Sequence, residues 1–71
     1  MTINEYIRYL RQRNHITQEK LAKDIGVSIE TIRKLEQGKT THPQLYTLIS
    51  LENYFDLPKD TLVEYKEKTI I

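Results

Sequence analysis

The segment from Thr17 to Gly38 constrains the fold most strongly, because it encodes two short amphipathic helices separated by one glycine turn. Gly26 stands where the first helix must stop, and glycine adopts the left-handed backbone conformation there without a Cβ clash. Ser28 then offers a hydroxyl to the free amides that open the second helix. Apolar residues mark one face of each helix, at Leu21, Ala22 and Ile25 and at Ile32 and Leu35. The second helix is therefore expected to cross the first and to leave its outer face free.

The composition limits what a chain of 71 residues can be. This length suits one domain, near the lower size at which a core without disulfides or metals is stable. The absence of cysteine removes disulfides, thiolate zinc sites and cysteine nucleophiles, and it fits a reducing compartment. The first residues lack a basic-then-apolar signal pattern, and no apolar run reaches the roughly 20 residues of a membrane span. These features predict a cytoplasmic protein that uses no cofactor and binds no membrane.

The net charge of +1 is small, but the charges are unevenly distributed along the chain. Residues 1–44 contain eight basic and five acidic residues, whereas residues 45–71 contain three basic and five acidic ones. A basic N-terminal part and an acidic C-terminal part suit a domain with one phosphate-facing half. Many domains with an ordinary solvated surface have similar numbers of basic and acidic residues. The uneven charge distribution therefore supports nucleic-acid binding without establishing it.

The spacing of the apolar residues predicts five helices and no strand. The first helix runs from Ile3 to about Arg13, the second opens with Thr17 as its cap, and the third runs from Ser28 to Gln37. A loop around Pro43 separates them from the rest, since proline disfavours a helical conformation at the preceding residue. The last two helices are marked by Leu45, Leu48, Ile49, Leu51 and Phe55, and by Leu62, Val63 and Tyr65. We expect one domain over residues 1–66 and a C-terminal tail over residues 67–71.

The order and spacing of these residues resemble the helix-turn-helix family of the phage lambda Cro and repressor proteins, also called the XRE family. The resemblance covers nearly the whole chain. It rests on Leu10-Arg11, Thr17-Gln18, Leu21-Ala22, Ile25-Gly26-Val27-Ser28, Ile32, Leu35-Glu36-Gln37-Gly38-Lys39, Pro43 and the segment from Leu48 to Leu57. Any one of these fragments is a weak signal, whereas the ordered set is specific.

The resemblance implies an all-α domain of five helices with the helix-turn-helix at helices two and three. It also implies a homodimer that binds a two-fold double-stranded DNA operator and regulates transcription, usually as a repressor. Such a protein would be bacterial or phage-encoded and associated with the nucleoid through DNA. A protein partner that controls its activity is compatible with this role.

The outer face of the third helix carries the candidate base-reading residues. Ile29 has no polar atom and can meet only a thymine methyl, whereas Glu30 can accept from a cytosine amino group. Arg33 and Lys34 can donate to guanine or to phosphate. Relatives often carry glutamines here, so the operator of a relative does not transfer to this chain. The alternatives are that Ile29 packs on Val27, that Glu30 favours the helix start, and that both cations are simply solvated.

The other DNA-contact candidates follow from positions at which relatives meet the phosphate backbone. Gln18 falls where the family places a glutamine that reaches phosphate and braces the recognition helix. Ser28 and Thr31 belong to the start of that helix, and the residues after it are Lys39, Thr40, Thr41 and His42. Neither His42 nor His15 has a second histidine or cysteine at ligand spacing, so no metal site is expected.

Arg11 and Glu36 are interpreted as structural residues. In relatives the corresponding arginine and glutamate form a partly buried ion pair between helices one and three. Loss of one partner would leave the other charge poorly solvated. The pair would therefore orient the reading helix without touching a base.

The aromatic residues have two interpretations. Base stacking, as in single-strand binders, would require aromatic residues on a strand or on the outer face of helix three, and none is placed there. Core and interface roles are favoured instead. The predicted dimer interface lies at the junction of helices four and five, where relatives dimerise, and comprises Tyr54, Phe55, Leu57 and Leu62.

Two functional hypotheses remain open. The first is a sequence-specific double-stranded DNA binder that represses by occupying a promoter, as the full set of motif residues favours. The alternative is an antitoxin-like or antirepressor-like protein-interaction module on the same fold, to which Glu30 and the small net charge lend weight. An enzyme is disfavoured, because the sequence shows no activated nucleophile, glycine-rich phosphate loop or metal constellation.

Overall fold

A computed structural model of the chain describes residues 1–40 and 43–65, and within these ranges it contains four α-helices and no strand. The helices are α1 (Ile3–Arg13), α2 (Gln18–Ile25), α3 (Ile29–Glu36) and α4 (Leu45–Tyr54). This arrangement confirms the all-helical class and the two short helices around the glycine turn. In the part of the chain that is described, no helix is long and apolar enough to cross a membrane.

Side-chain caps explain why the first three helices begin where they do. Thr2 forms a capping box with Glu5, in which the Glu5 amide donates to the threonine hydroxyl and the Glu5 carboxylate accepts from the Thr2 amide. Thr17 accepts from an amide of the first turn of α2, and Ser28 does the same for α3. At α4 the capping residue is Gln44, and its side chain makes no cap hydrogen bond. Among the described residues, no side chain caps the first amides of α4, which can therefore meet an external acceptor.

All four helices end on the same backbone motif. The residue after the last turn adopts a left-handed conformation, and the following amide donates to the carbonyl five residues earlier, over 2.8–3.3 Å. The left-handed residues are His15, Gly26, Gly38 and Asp56. Their sharp turns fold short helices back onto one another, so that each contributes to the same core.

The core takes one fully buried side chain from each helix and one from the segment that follows α4. These side chains are Ile7, Leu21, Ile32, Leu51 and Leu62. Burial of each such side chain contributes about 1.5–3 kcal/mol relative to exposure in water. The helix pair α2 and α3 is thereby packed against α1, α4 and the segment around Leu62, which fixes the direction in which the outer face of α3 points.

Over residues 57–65 the structure differs from the predicted fifth helix and forms a series of turns. Asp60 has a φ of 66°, which interrupts a right-handed helix. The buried Glu52 carboxylate accepts from the amides of Asp60, Leu62 and Val63, at 3.3, 2.6 and 3.2 Å. The amide of Thr61 donates to the Pro58 carbonyl, and residues 59–64, with Leu62 and Val63 among them, form turns instead of a continuous helix. Residues 66–71, with the predicted tail, lie outside the described residues.

A polar cluster around Glu36, which is 2% exposed, joins the first three helices. Arg11 binds the Glu36 carboxylate through two nitrogens, with Nε–Oε2 and Nη2–Oε1 distances of 2.7 and 3.0 Å. Gln18 Nε2 donates to the same Oε1 at 3.2 Å, and Arg11 Nη1 donates to the Ile16 carbonyl at 2.9 Å. Asn4 Nδ2 donates to the Glu36 carbonyl at 3.4 Å. We call these side chains, from Asn4, Arg11, Gln18 and Glu36, the Glu36 cluster.

The Glu36 cluster fixes the position of α3 relative to α1 and α2. A charged group in the interior must keep its partners, because an unpaired buried charge is strongly destabilising. Rotating or sliding α3 would separate the Glu36 carboxylate from Arg11 and Gln18. Gly38 completes the arrangement, since a Cβ there would lie 3.3 Å from Nδ2 of Asn4.

We expect Glu36→Gln to lower the free energy of unfolding by about 3 kcal/mol, since the Arg11 charge would lose its counter-ion. The control is Glu30→Gln, the same chemical change in an exposed pair with Arg33, which should cost less than about 1 kcal/mol. Urea unfolding followed by far-ultraviolet circular dichroism measures both. Equal costs for the two variants would contradict the role given to the Glu36 cluster.

Candidate nucleic-acid interface

The outer face of α3 presents one polar stripe. Its residues stand three or four positions apart and are all exposed, namely Glu30, Arg33, Lys34 and Gln37. The opposite face is buried through Ile32, Leu35 and Glu36. The spacing of a helix thus separates the side chains that hold α3 in place from those that can meet a ligand.

Ile29 and Thr31 flank this stripe and are half-buried. Ile29 packs against the core, and its contact with a thymine methyl and its packing on Val27 both remain predictions. The Thr31 amide donates to Ser28 Oγ at 3.3 Å, and the two hydroxyl oxygens lie 2.9 Å apart. In the structure, Ser28 and Thr31 therefore secure the start of α3.

Glu30 and Arg33 form an ion pair on the exposed stripe. Arg33 Nη1 lies 3.5 Å from Glu30 Oε2, and the two side chains are 46% and 58% exposed. An exposed pair of this kind contributes little to stability. Both groups therefore remain free to change partners when a ligand approaches.

A cavity of about 220 Å³ adjoins this face between α3 and the start of α4. Its lining is mostly polar and comprises Thr31, Lys34, Leu35, Thr40, Pro43, Gln44 and Thr47. The first turn of α4 lies beside it, because its N-cap residue Gln44, whose side chain makes no cap hydrogen bond, lines the cavity. Hydroxyl, ammonium and amide groups around one cavity can bind an anion such as a phosphate group.

The sequence analysis named Lys34 and Thr40 as candidate contact residues but did not name Gln44 and Thr47, which line the same cavity. The available signal was Pro43, since a helix that starts just after a proline brings its first residues to the end of the preceding loop. Thr41 and His42, also predicted contacts, lie outside the described residues.

Gln18 lies next to the polar stripe, but the Glu36 cluster already engages its amide. It is half-buried and lines a polar groove with Arg8, Gln12 and Gln37. Because Nε2 donates to Glu36, the side chain acts as the predicted brace for α3. Its contact with phosphate remains a prediction.

The charges around α3 leave two lysines available. Within the described ranges, Lys34 and Lys39 have no carboxylate within 4.0 Å, whereas Lys20 pairs with Asp24 at 3.1 Å. Tyr54 also donates to Asp24, at 2.7 Å, and this hydrogen bond is the main cause that lowers the pKa of the carboxyl. The same bond raises the pKa of the Tyr54 hydroxyl and ties α4 to α2.

The structure corrects one residue of the predicted dimer interface. Leu62 is 1% exposed and belongs to the core of its own chain, because Glu52 holds its amide beside α4. Tyr54, Phe55 and Leu57 are half-buried. The exposed apolar side chains of α4 lie elsewhere, at Leu45, Tyr46 and Ile49, which are 57%, 64% and 42% exposed.

Metal ligation finds no support in the described part of the chain, where no three His, Asp or Glu residues are grouped to hold an ion. His15 serves instead as the left-handed residue that ends α1.

The sequence of the chain is similar to those of known helix-turn-helix proteins. The chain is 34% identical over 67 residues to the HTH-type transcriptional activator BcrR of Enterococcus faecalis, covering 94% of this chain and 32% of that protein. The chain thus spans about a third of the length of BcrR. It is 33% identical over 61 residues to an uncharacterised HTH-type transcriptional regulator of Methanocaldococcus jannaschii, covering 86% of this chain and 91% of that protein. A family model described as helix-turn-helix matches residues 7–62, and the chain therefore belongs to the XRE-type helix-turn-helix family.

Proposed function

We propose that the chain is a sequence-specific, double-stranded DNA-binding transcription regulator that reads DNA with the outer face of α3. The observation that carries this proposal is the exposed polar stripe of α3, held outward by the buried Glu36 cluster and adjoined by a polar cavity. Both relatives are named as transcription regulators, which supports the same function.

In this function α3 enters the major groove and its stripe faces the base edges. The phosphate backbone is held beside the C-terminal part of α3. Lys34, Thr40 and the start of α4 surround one cavity, and the exposed Lys39 follows the C-terminal end of α3. Contacts of this kind set the register on the duplex, whereas Glu30 and Arg33 of the stripe select the sequence.

Occupancy of a promoter by such a domain represses transcription when it blocks the polymerase, and we propose this role for the chain. The relative from Enterococcus faecalis is named an activator. The same DNA contacts serve either role, so the direction of regulation depends on where the site lies in a promoter.

We further propose that two copies bind together through the outer face of α4. Leu45, Tyr46 and Ile49 project there, and the single charged residue of the helix, Glu52, is buried. A two-fold interface brings identical residues together, so an uncharged apolar face avoids like-charge repulsion. Such a dimer would place two α3 helices about one DNA turn, roughly 34 Å, apart.

Sedimentation at increasing concentration tests the dimer. We expect self-association of the unmodified chain and its loss in Ile49→Glu, because two new charges would face each other. Tyr9→Glu puts the same charge on an exposed residue of α1 and should leave association unchanged. A monomer at micromolar concentration, with or without a DNA duplex, would contradict the proposed interface.

Salt-dependent DNA binding tests the function itself. Lys34→Ala should weaken binding to every duplex by a similar factor and reduce the slope of log affinity against log salt by about one unit. Lys59→Ala removes the same charge from the segment after α4 and should leave both quantities unchanged. If the folded chain binds no duplex at moderate salt, the function is wrong and the protein-interaction alternative is favoured.

A further inference from the structure

We propose that Glu30 and Arg33 act as one unit that reads a C·G base pair, with the carboxylate on cytosine and the guanidinium on guanine. This inference rests on the proposed DNA-binding function and specifies which bases the α3 stripe selects. It depends on the position of the ion pair and on the chemistry of the groove edges.

The two side chains already stand together on the surface that faces DNA. Glu30 and Arg33 are one helical turn apart on the exposed stripe, and Arg33 Nη1 lies 3.5 Å from Glu30 Oε2. Glu30 belongs to the first turn of α3, and the N-terminal end of a recognition helix is the part that contacts base edges. The described residues place no other carboxylate within 4.0 Å of Arg33. The pair is thus a local unit.

A carboxylate on this face is selective because it can only accept hydrogen bonds. In the major groove, donors are offered by the amino groups of cytosine and adenine, whereas guanine and thymine present acceptors. Guanine or thymine beside Glu30 would place two acceptors in contact after both had lost water, which is unfavourable. Adenine offers a donor next to its own acceptor N7, so one carboxylate oxygen would meet a lone pair.

Arg33 supplies the complementary groups. A guanidinium has five N–H donors, and the Glu30 contact uses Nη1, so several donors remain for a base. Guanine O6 and N7 accept two parallel hydrogen bonds from arginine, which is the commonest specific contact to a base. Lys34 is a poorer candidate for this contact, because its side chain lines the cavity between α3 and α4.

The edge of a C·G pair matches the ion pair group by group. It shows the cytosine donor next to the two guanine acceptors, and the protein shows the acceptor Glu30 next to the donor Arg33. In a T·A pair, thymine would instead present its methyl group and the acceptor O4 to Glu30, and neither can donate a hydrogen bond to the carboxylate. Because the exposed pair is weak, its side chains can move apart onto the bases at small cost. The main effect of Glu30 is then to reject other sequences rather than to increase affinity.

The experiment is selection of bound duplexes from a random pool by the full chain, followed by affinity measurements on single-base variants of the selected site. We expect a conserved C·G pair in each half-site, with substitution of that pair weakening binding about tenfold. Glu30→Gln should shift the preference at this position towards adenine, which glutamine binds through N6 and N7, and leave the other positions unchanged. Glu64→Gln, the same change on an exposed residue after α4, should not alter the selected sequence.

Two results would overturn the inference while the proposed function stands. One is a selected site without a C·G pair at the positions that respond to Glu30→Gln or Glu30→Ala. The other is a uniform gain in affinity for all duplexes in both variants, which would show that Glu30 only repels phosphate. If the unmodified, folded chain enriches no sequence, the DNA-binding function fails and the inference fails with it.

Discussion

The buried Glu36 carboxylate is the interaction on which the rest of this structure depends. This carboxylate, on α3, accepts hydrogen bonds from Arg11 of α1 and from Gln18 of α2, so it links three helices. A buried ion pair adds little net stability compared with apolar packing, but it tolerates few alternative arrangements because each misplacement leaves a charge unpaired. This combination suits a small domain whose function requires one helix to be held in a defined orientation. The apolar core supplies the stability, and the Glu36 cluster supplies the orientation.

The separation of roles along α3 follows from this constraint. Ile32, Leu35 and Glu36 face inward, whereas Glu30 and Arg33 face outward and make only one weak contact with each other. A change on the outer stripe therefore leaves the core intact, so the sequence preference can change without loss of the fold. The cavity that Lys34 lines lies between α3 and the start of α4, and it suits contacts that do not depend on base sequence.

The features that the sequence predicted are those with a local physical cause. Thr17, Ser28 and Gly26 act within one turn of their own helix, so their residue types suffice to predict the caps and the turn. Contacts between distant segments were predictable only through the family resemblance, as for Arg11 with Glu36, or not at all. The resemblance did not indicate that Glu52 would bind the amides of Asp60, Leu62 and Val63 in the segment where a fifth helix was expected. The same contact draws Leu62 into the core and leaves Leu45, Tyr46 and Ile49 as the exposed apolar face.

The most direct test of this account is the DNA affinity of the double variant Arg11→Met/Glu36→Leu, measured with a selected duplex. Replacing both charges with apolar side chains removes the cluster without leaving an unpaired charge, so stability should change by no more than about 1 kcal/mol or increase. We predict that the folded variant binds at least about tenfold more weakly, since α3 would no longer be fixed by Glu36. A variant that is equally stable and binds with unchanged affinity and sequence preference would contradict the claim that this buried pair orients the reading helix.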